Sequence, residues 1–277
     1  MTLKPGLNFG VVAQDWPTEP PAAPSDWLQR FARDGFVTIR IPGHSPAPHF
    51  VRASAEQCAN ACGQILDAGL QPLITIRDAD QCSHLQHGTL VEYWNEPDIT
   101  SNGWHDSRDI PEMWRVIDMC HERAVKLYIS GVAGVHSRGF GFLRRLPWAR
   151  IPLNVGVSIH RYSSGDDWRN VTRWDGGWFS RPPQPWQTRD DEMRHLVGLV
   201  GTRPLAITEM GYCSAQWSSD QQCEALRYER EFWDRYAEVL CPYTFADDIR
   251  MLSSCEGSYG LYDVDGTLKP HGRAFVA

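Results

Sequence analysis

The chain has 277 residues, of which 42% are apolar and 22% charged. That balance excludes a disordered or low-complexity protein and fits one large domain, for which an α/β barrel of about 250 residues is an ordinary solution. The net charge of −7 gives no basic footprint for nucleic acid or anionic lipid, and the 12 Trp are more indole than a core of this size needs.

The first residues, Met1-Thr2-Leu3-Lys4-Pro5-Gly6, lack the apolar core of a secretory leader. No apolar run reaches the roughly 20 residues that span a bilayer. The expectation is a monomer with no membrane or nucleic-acid partner, cytoplasmic unless a secretion signal has been removed. In chain order, a β-rich run at 7–12 is followed by a helix with Ser25 as N-cap, an amphipathic body from Asp26 to Arg33, and Gly35 as a left-handed stop. A run at 37–41 precedes a helix opened by Ser54 and closed by Gly69. The third run, 72–76, joins the fourth, 91–94, through a segment too short for a full helix. A helix over 111–126 leads to runs at 126–132 and 153–159. Then comes 163–188, rich in Gly, Pro and Trp with little periodicity, a long loop between the sixth strand and its helix of the kind that usually carries function. Helices over 189–200 and 220–239 flank a seventh run at 204–208, and the eighth is 243–246. Eight strand–helix units of about 35 residues predict a single (β/α)8 barrel over 1–277, and no G-x-G-x-x-G supports the alternative open sheet.

Two motifs lie at strand ends: Tyr93-Trp94-Asn95-Glu96-Pro97-Asp98 after the fourth run and Ile207-Thr208-Glu209-Met210-Gly211-Tyr212 after the seventh. The C-terminal mouth of such a barrel is where active sites are built. Strands four and seven face each other across it. Opposed carboxyl groups about 5 Å apart are what retaining glycoside hydrolysis requires, one as nucleophile and one as acid/base.

These residues resemble the clan A glycoside hydrolases, family 5 in particular. That resemblance implies Glu96, after Asn95, as acid/base and Glu209 as nucleophile. It also matches Arg40, within the stretch Ala32 to Pro42, to an arginine that touches the nucleophile, and Ser158-Ile159-His160-Arg161-Tyr162 to the sixth strand. The segment from Gly260 to Pro270 matches the turn after strand eight. On this reading Arg40 favours the charged form of Glu209, and the Glu209 charge favours the protonated form of Glu96. Asn95 is placed on the sugar 2-hydroxyl, His160 on Glu96 and Tyr162 on Glu209, the bland alternative for His160 being a satisfied interior histidine. The chain departs from the family in two places. No Trp ends the eighth strand, where the expected substitute is Phe245 or an aromatic from another loop, and Arg77-Asp78 stands where a His is common.

The expected substrate is a β-linked poly- or oligosaccharide, with no cofactor and no metal. One or two of Trp168, Trp174, Trp178 and Trp186 on the long loop are expected to stack on sugar rings, the alternative being a self-packed loop over the barrel end; Trp16 and Trp217, on loops at the same mouth, are equal candidates, whereas Trp27, Trp114 and Trp233 belong to helices and the core. Asp15, Asp78, Asp247 and Asp248 are further candidates for sugar hydroxyls. Glu92 is expected to be a buried carboxyl paired with an arginine. Cys82, His84 and His87 match no regular zinc spacing, and Asp263-Val264-Asp265-Gly266 reads as a turn rather than a calcium loop. Cys213 and Cys223 flank one loop and could pair in an oxidising compartment, although most scattered cysteines of this kind are buried thiols. The competing functional readings are a carbohydrate-binding barrel without catalysis and a metal-dependent barrel hydrolase.

Overall fold

The computed structural model describes residues 4–8, 26–44, 52–133, 137–162, 189–247 and 257–277. Eight parallel strands close into a barrel: β1 (Lys4–Asn8), β2 (Thr38–Pro42), β3 (Gln71–Ile76), β4 (Leu90–Asn95), β5 (Lys126–Val132), β6 (Gly156–His160), β7 (Leu205–Met210) and β8 (Val239–Pro242). Strand β8 returns to β1 through the Lys4↔Val239 and Pro5↔Leu240 pairs. Around it lie α1 (Asp26–Arg33), α2 (Ala55–Asp67), α3 (Asp106–Glu122), α4 (Ser137–Leu143), α5 (Arg189–Val200), α6 (Ser219–Trp233) and α7 (Pro270–Val276). As the short connection implied, β3 leads to β4 through one 3₁₀ turn, Ala79–Cys82. Among the described residues, no helix is long and apolar enough to cross a membrane.

Local chemistry explains the helix ends. The Ser54 hydroxyl accepts the Gln57 N–H at 3.2 Å while the Gln57 carboxamide accepts the Ser54 N–H at 2.8 Å, a reciprocal cap that satisfies two otherwise orphaned donors. Ser218 and Gln221 do the same for α6. Gly69 follows α2 at φ 77°, a conformation that costs a side-chain-bearing residue about 1 kcal/mol or more. The buried face of α2, Cys58, Ala61, Cys62 and Ile65, keeps helical spacing and packs on the barrel's outer wall.

Inside the barrel, strand periodicity builds two layers. Leu73, Leu90, Tyr128, Ala206, Val239 and Cys241 form a small apolar cluster. Two residues further along the strands, Thr75, Glu92 and Thr208 join Arg40 in a polar layer of residues no more than 4% exposed. The mouth chemistry therefore rests on a dry apolar floor.

Five boundaries differ from expectation. Helix α3 covers Asp106–Glu122 rather than 111–126, because Pro111 sits inside its second turn and not at its start. Strand β1 begins at Lys4, ahead of the 7–12 run. Strand β6 begins at Gly156 because residues 151–155 form a turn gathered by Arg203, which donates to the carbonyls of Trp148 and Ile151 at 2.7 Å and of Val155 at 3.3 Å; Leu153 is 72% exposed. Helix α6 stops at Trp233, and Val239, read as its last residue, opens β8. Residues 243–246, expected as the eighth strand, lie beyond the barrel, where the carbonyls of Thr244 and Phe245 accept the N–H groups of Leu261 and Tyr262. Helices α4 and α7 were not anticipated; each has seven residues, too few for a clear periodic signal. The Ser25 cap and the 163–188 loop lie outside the described residues. Cys213 is disulfide-bonded while Cys223 is a free thiol, so the pairing expected between them does not form.

Candidate active site

Arg40 organises the mouth. From β2 its guanidinium reaches three partners: Nε donates to Glu92 Oε2 at 2.7 Å, Nη1 to Glu209 Oε1 at 2.7 Å, and Nη2 to Asn95 Oδ1 at 2.5 Å. Burial alone would weaken its charge, but the Glu92 and Glu209 carboxylates raise its pKa above the ordinary arginine range. The Asn95 carbonyl is thereby occupied by arginine, which leaves its amide as a donor for a ligand.

Glu209, in the last turn of β7, is 8% exposed and receives the Tyr162 hydroxyl on Oε2 at 2.8 Å. His160 Nδ1 lies 3.1 Å from Glu96 Oε1 and 3.4 Å from Glu209 Oε2, bridging the two carboxylates. Burial works against a charged His160, yet Glu209 and the hydrogen-bonded Glu96 raise its pKa. One carboxylate oxygen of Glu96, one of Glu209 and one nitrogen of His160 all lie within 4.8 Å of one another.

Consecutive strand residues normally point to opposite faces. Asn95 and Glu96 nevertheless both serve the mouth, because Glu96 takes a left-handed conformation at φ 50°. The turn is held by its N–H on the Gly131 carbonyl at 2.7 Å and by Asn102 Nδ2 donating to its own carbonyl at 3.0 Å. Such a backbone costs about 1–3 kcal/mol and persists where its surroundings fix it. Gly131 is itself required: a Cβ there would sit 2.5 Å from Glu92 Oε1 and 2.8 Å from His160 Nε2.

The structure thus brings together Arg40, Asn95, Glu96, His160, Tyr162 and Glu209. It places two other candidates elsewhere. Phe245 is 2% exposed and packs edge-on against Trp27 at 4.5 Å and Phe31 at 5.1 Å, inside the core rather than at the cleft. Trp217, 6% exposed, packs against Tyr212 at 5.5 Å and belongs to the core as well. Trp16, Trp168, Trp174, Trp178, Trp186, Asp15 and Asp248 lie outside the described residues. Asp78 caps the 3₁₀ turn and pairs with Arg52 at 2.5 Å, and Asp247 accepts from Gly260 N and Lys269. Trp233 is fully buried. Trp94 is also fully buried, with the Arg77 guanidinium 4.8 Å above its ring.

Sequence reasoning missed Tyr243 and Tyr259. Tyr243 follows β8 directly, its N–H on the Met210 carbonyl at 2.6 Å. Its ring lies 5.9 Å from Tyr162 and 5.5 Å from Tyr259, and Tyr162 and Tyr259 lie 5.7 Å apart, so three tyrosines stand edge to face beside Glu209. Gly211 admits them, since a Cβ there would meet the Tyr243 carbonyl at 2.6 Å and the Tyr259 ring at 2.9 Å. The signal for Tyr243 was present: it is the first aromatic after the eighth apolar run once that run is taken as 239–242.

Among the described residues, Glu96, His160 and Glu209 are the group whose ligand atoms could converge on a cation. The Arg40 guanidinium on Glu209 opposes that use by placing a fixed positive charge where an ion would sit. Cys82, His84 and His87 do not converge: Cys82 is buried against Cys120 at 3.8 Å and His84 reaches out to Glu56. In the Asp263–Gly266 turn, Asp263 and Asp265 both accept the Thr267 N–H, which closes the turn without an ion.

No family model and no curated protein sequence matches the chain. Solved structures do. A family 39 glycoside hydrolase from the gut symbiont Bacteroides cellulosilyticus WH2 superposes with a TM-score of 0.67 at 18% identity, covering 100% of this chain and 63% of that one. An exo-β-1,4-mannosidase from Opitutaceae bacterium strain TAV5 gives 0.65 at 16% identity, over 99% of this chain and 58% of that one. The chain therefore spans roughly three fifths of the length of these two proteins. A broad-specificity family 5 endoglucanase from Clostridium acetobutylicum gives 0.63 at 13% identity over the full length of both. The fold of this protein is the (β/α)8 barrel shared by clan A glycoside hydrolases.

Proposed function

We propose that this protein is a retaining glycoside hydrolase acting on β-glycosidic bonds, with Glu209 as nucleophile and Glu96 as acid/base. The observation that carries the reading is the approach of the two carboxylates to within 4.8 Å, across the mouth and with Arg40 on one of them. Retaining enzymes hold their carboxyl groups about 5–5.5 Å apart, whereas inverting ones leave about 6.5–9.5 Å for a water.

In the first step Glu209 attacks the anomeric carbon as Glu96 gives its proton to the departing glycosidic oxygen. The products are a glycosyl ester on Glu209 and a free alcohol. In the second step Glu96, now a carboxylate, takes a proton from water. The hydroxide so formed displaces Glu209 from the sugar, and both residues return to their starting states. Arg40 and the Tyr162 hydroxyl hold the nucleophile in one orientation and stabilise the charge to which it returns. Esterification removes the Glu209 charge at the point where the task of Glu96 reverses from giving a proton to taking one. The Asn95 amide reaches toward the sugar 2-hydroxyl, and the Tyr243 ring provides the aromatic surface that Phe245 does not.

The neighbouring structures include endoglucanases and an exo-mannosidase, so β-1,4-glucan and β-1,4-mannan oligosaccharides are the first substrates to examine. A 2-deoxy-2-fluoro-β-glucoside or mannoside with an activated leaving group should trap the ester, and peptide mass analysis should find the label on Glu209. A label on another residue removes Glu209 from the role, and a barrel that binds such sugars without labelling or turnover is a binding protein.

A further inference from the structure

One buried charge at this site has no part in the double displacement: Glu92, four residues before Glu96 and 0% exposed. It sits in the polar layer beneath the catalytic pair. Oε2 takes Arg40 Nε at 2.7 Å and the Thr75 hydroxyl at 3.0 Å, and Oε1 takes the Thr208 hydroxyl at 2.5 Å. Arg40 Nη2 also lies 2.5 Å from Oε2. The bonds from Nε and Nη2 fix the plane of the guanidinium, which leaves Nη1 aimed at Glu209 and Nη2 shared with Asn95.

Across the empty space at Gly131, Glu92 Oε1 faces His160 Nε2, because a side chain at residue 131 would meet both. His160 Nε2 is buried and has no hydrogen-bond partner among the described residues. With Nδ1 turned to Glu96 and Glu209, an imidazolium would present its second N–H toward the Glu92 charge. A neutral ring donating from Nδ1 would present a lone pair to it, which is repulsive.

We propose that Glu92 is a positioning residue for this site: through Arg40 it orients Glu209 and Asn95, and its negative charge favours the protonated form of His160. The inference rests on the glycosidase reading for its kinetic consequences but not for the His160 titration. The groups facing this centre are Arg40 from β2, Glu92 from β4, Glu96 and Asp98 just beyond that strand, His160 from β6, Tyr162 just beyond it, Glu209 from β7 and the Cys241 thiol from β8. Arg40, Glu209 and Glu96 all act on His160, and His160 in turn helps Arg40 hold the buried Glu92 carboxyl below the usual carboxylate range.

Two substitutions separate charge from reach. Glu92→Gln keeps the length and removes the charge. It should lower kcat about a hundredfold, as expected for misaligned groups, with KM little changed. Both limbs of the pH profile of kcat/KM should move to lower pH, by about one unit, because a negative charge has left the vicinity of the titrating groups. Glu92→Asp keeps the charge and shortens the reach, so kcat should fall while the limbs stay in place. The independent measurement is the imidazole ¹⁵N titration of His160 in the wild-type protein and in Glu92→Gln. The midpoint should drop in the variant, whichever residues perform catalysis. If Glu92→Gln does not fold, Thr208→Val serves instead: losing the hydroxyl leaves Oε1 more negative and should raise the His160 midpoint. Unchanged limbs and an unchanged His160 midpoint in the folded variants would overturn the proposal. Absence of glycosidase activity in the wild type, with the His160 shift present, would instead overturn the function and leave the role of Glu92 standing.

Discussion

Two buried ionic networks lie on opposite sides of the barrel wall, and they differ in how completely they are closed. Between α5 and α6, Glu229 is 0% exposed and accepts four donors: both terminal nitrogens of Arg189, the Tyr212 hydroxyl, and Trp233 Nε1 at 2.7 Å. Burial would raise its pKa, but Arg189 and the hydrogen bonds hold it below the ordinary value. Both carboxylate oxygens are saturated. At the mouth, Glu209 takes one arginine nitrogen and one hydroxyl, and Glu96 meets His160 Nδ1 while 24% of its side chain stays open. The lesson is that saturation separates a structural ion pair from a reactive one. A carboxylate whose lone pairs are all engaged is fixed in place, whereas one with free lone pairs facing a cleft can still attack a carbon or carry a proton.

The largest expected effects come from crossing these two sites. Glu209→Gln should reduce kcat/KM on the order of 10⁴-fold or more, while the melting temperature stays within a few degrees of the wild type. Glu229→Gln should do the reverse. It removes the carboxylate that holds both terminal nitrogens of the buried Arg189, for which a loss of about 3–5 kcal/mol is typical, or about 10 °C in a domain this large. Its kcat, measured well below the transition, should remain within about threefold of the wild type, since Glu229 touches no group at the mouth. Calorimetry and initial rates on the same two preparations decide the matter. A Glu229 variant that kept its stability but lost its turnover would break the distinction.

A smaller effect tests where the mouth gets its aromatic surface. Tyr243→Ala should raise KM for an oligosaccharide, about 10- to 100-fold if one ring stacks on a sugar at about 1–3 kcal/mol, a range measured for base stacking on aromatic side chains. Phe245→Ala should instead lower the melting temperature, because Phe245 fills the core between Trp27, Phe31 and Tyr262. Equal kinetic effects from the two would show that neither residue lines the cleft.

Why the sequence misplaced that aromatic is instructive. The carboxylates were legible because each sits where a strand run ends, and the closed ring then fixes which ends oppose each other. The aromatic depended on a register. Val239 falls at the end of an amphipathic pattern that starts at Asp220, so helical periodicity claimed the first residue of β8 and pushed the apparent strand to 243–246. That slip of four residues exchanged Tyr243 for Phe245. The Arg189–Glu229 pair was illegible for another reason: two charged residues on separate helices, 40 positions apart, carry no local pattern. Only the packing of α5 on α6 reveals that both face inward. The left-handed turn at Glu96 was likewise hidden, because Glu is among the residues that gain nothing locally from that conformation.

The smallest effect concerns Asp98, which stands between the two kinds of carboxylate. It is 7% exposed, its Oδ1 accepts the Ala133 N–H at 2.8 Å, and its Oδ2 is buried with no partner. Burial pushes its carboxyl up, the Ala133 bond works against this, and the nearby Glu96 pushes it further, to about 6. A carboxyl whose folded value lies above its unfolded one takes up a proton on folding in the window between the two. From the ordinary 3.8 to about 6, stability should therefore decline as the pH rises, and above that window the penalty stays constant. Asp98→Asn keeps an acceptor for Ala133 and carries no charge. At pH 7 it should melt higher than the wild type, and the difference should close as the pH falls toward 3.5. A variant less stable than the wild type at every pH would mean that the Asp98 charge is matched at the mouth, and saturation would then be the wrong measure for this carboxylate.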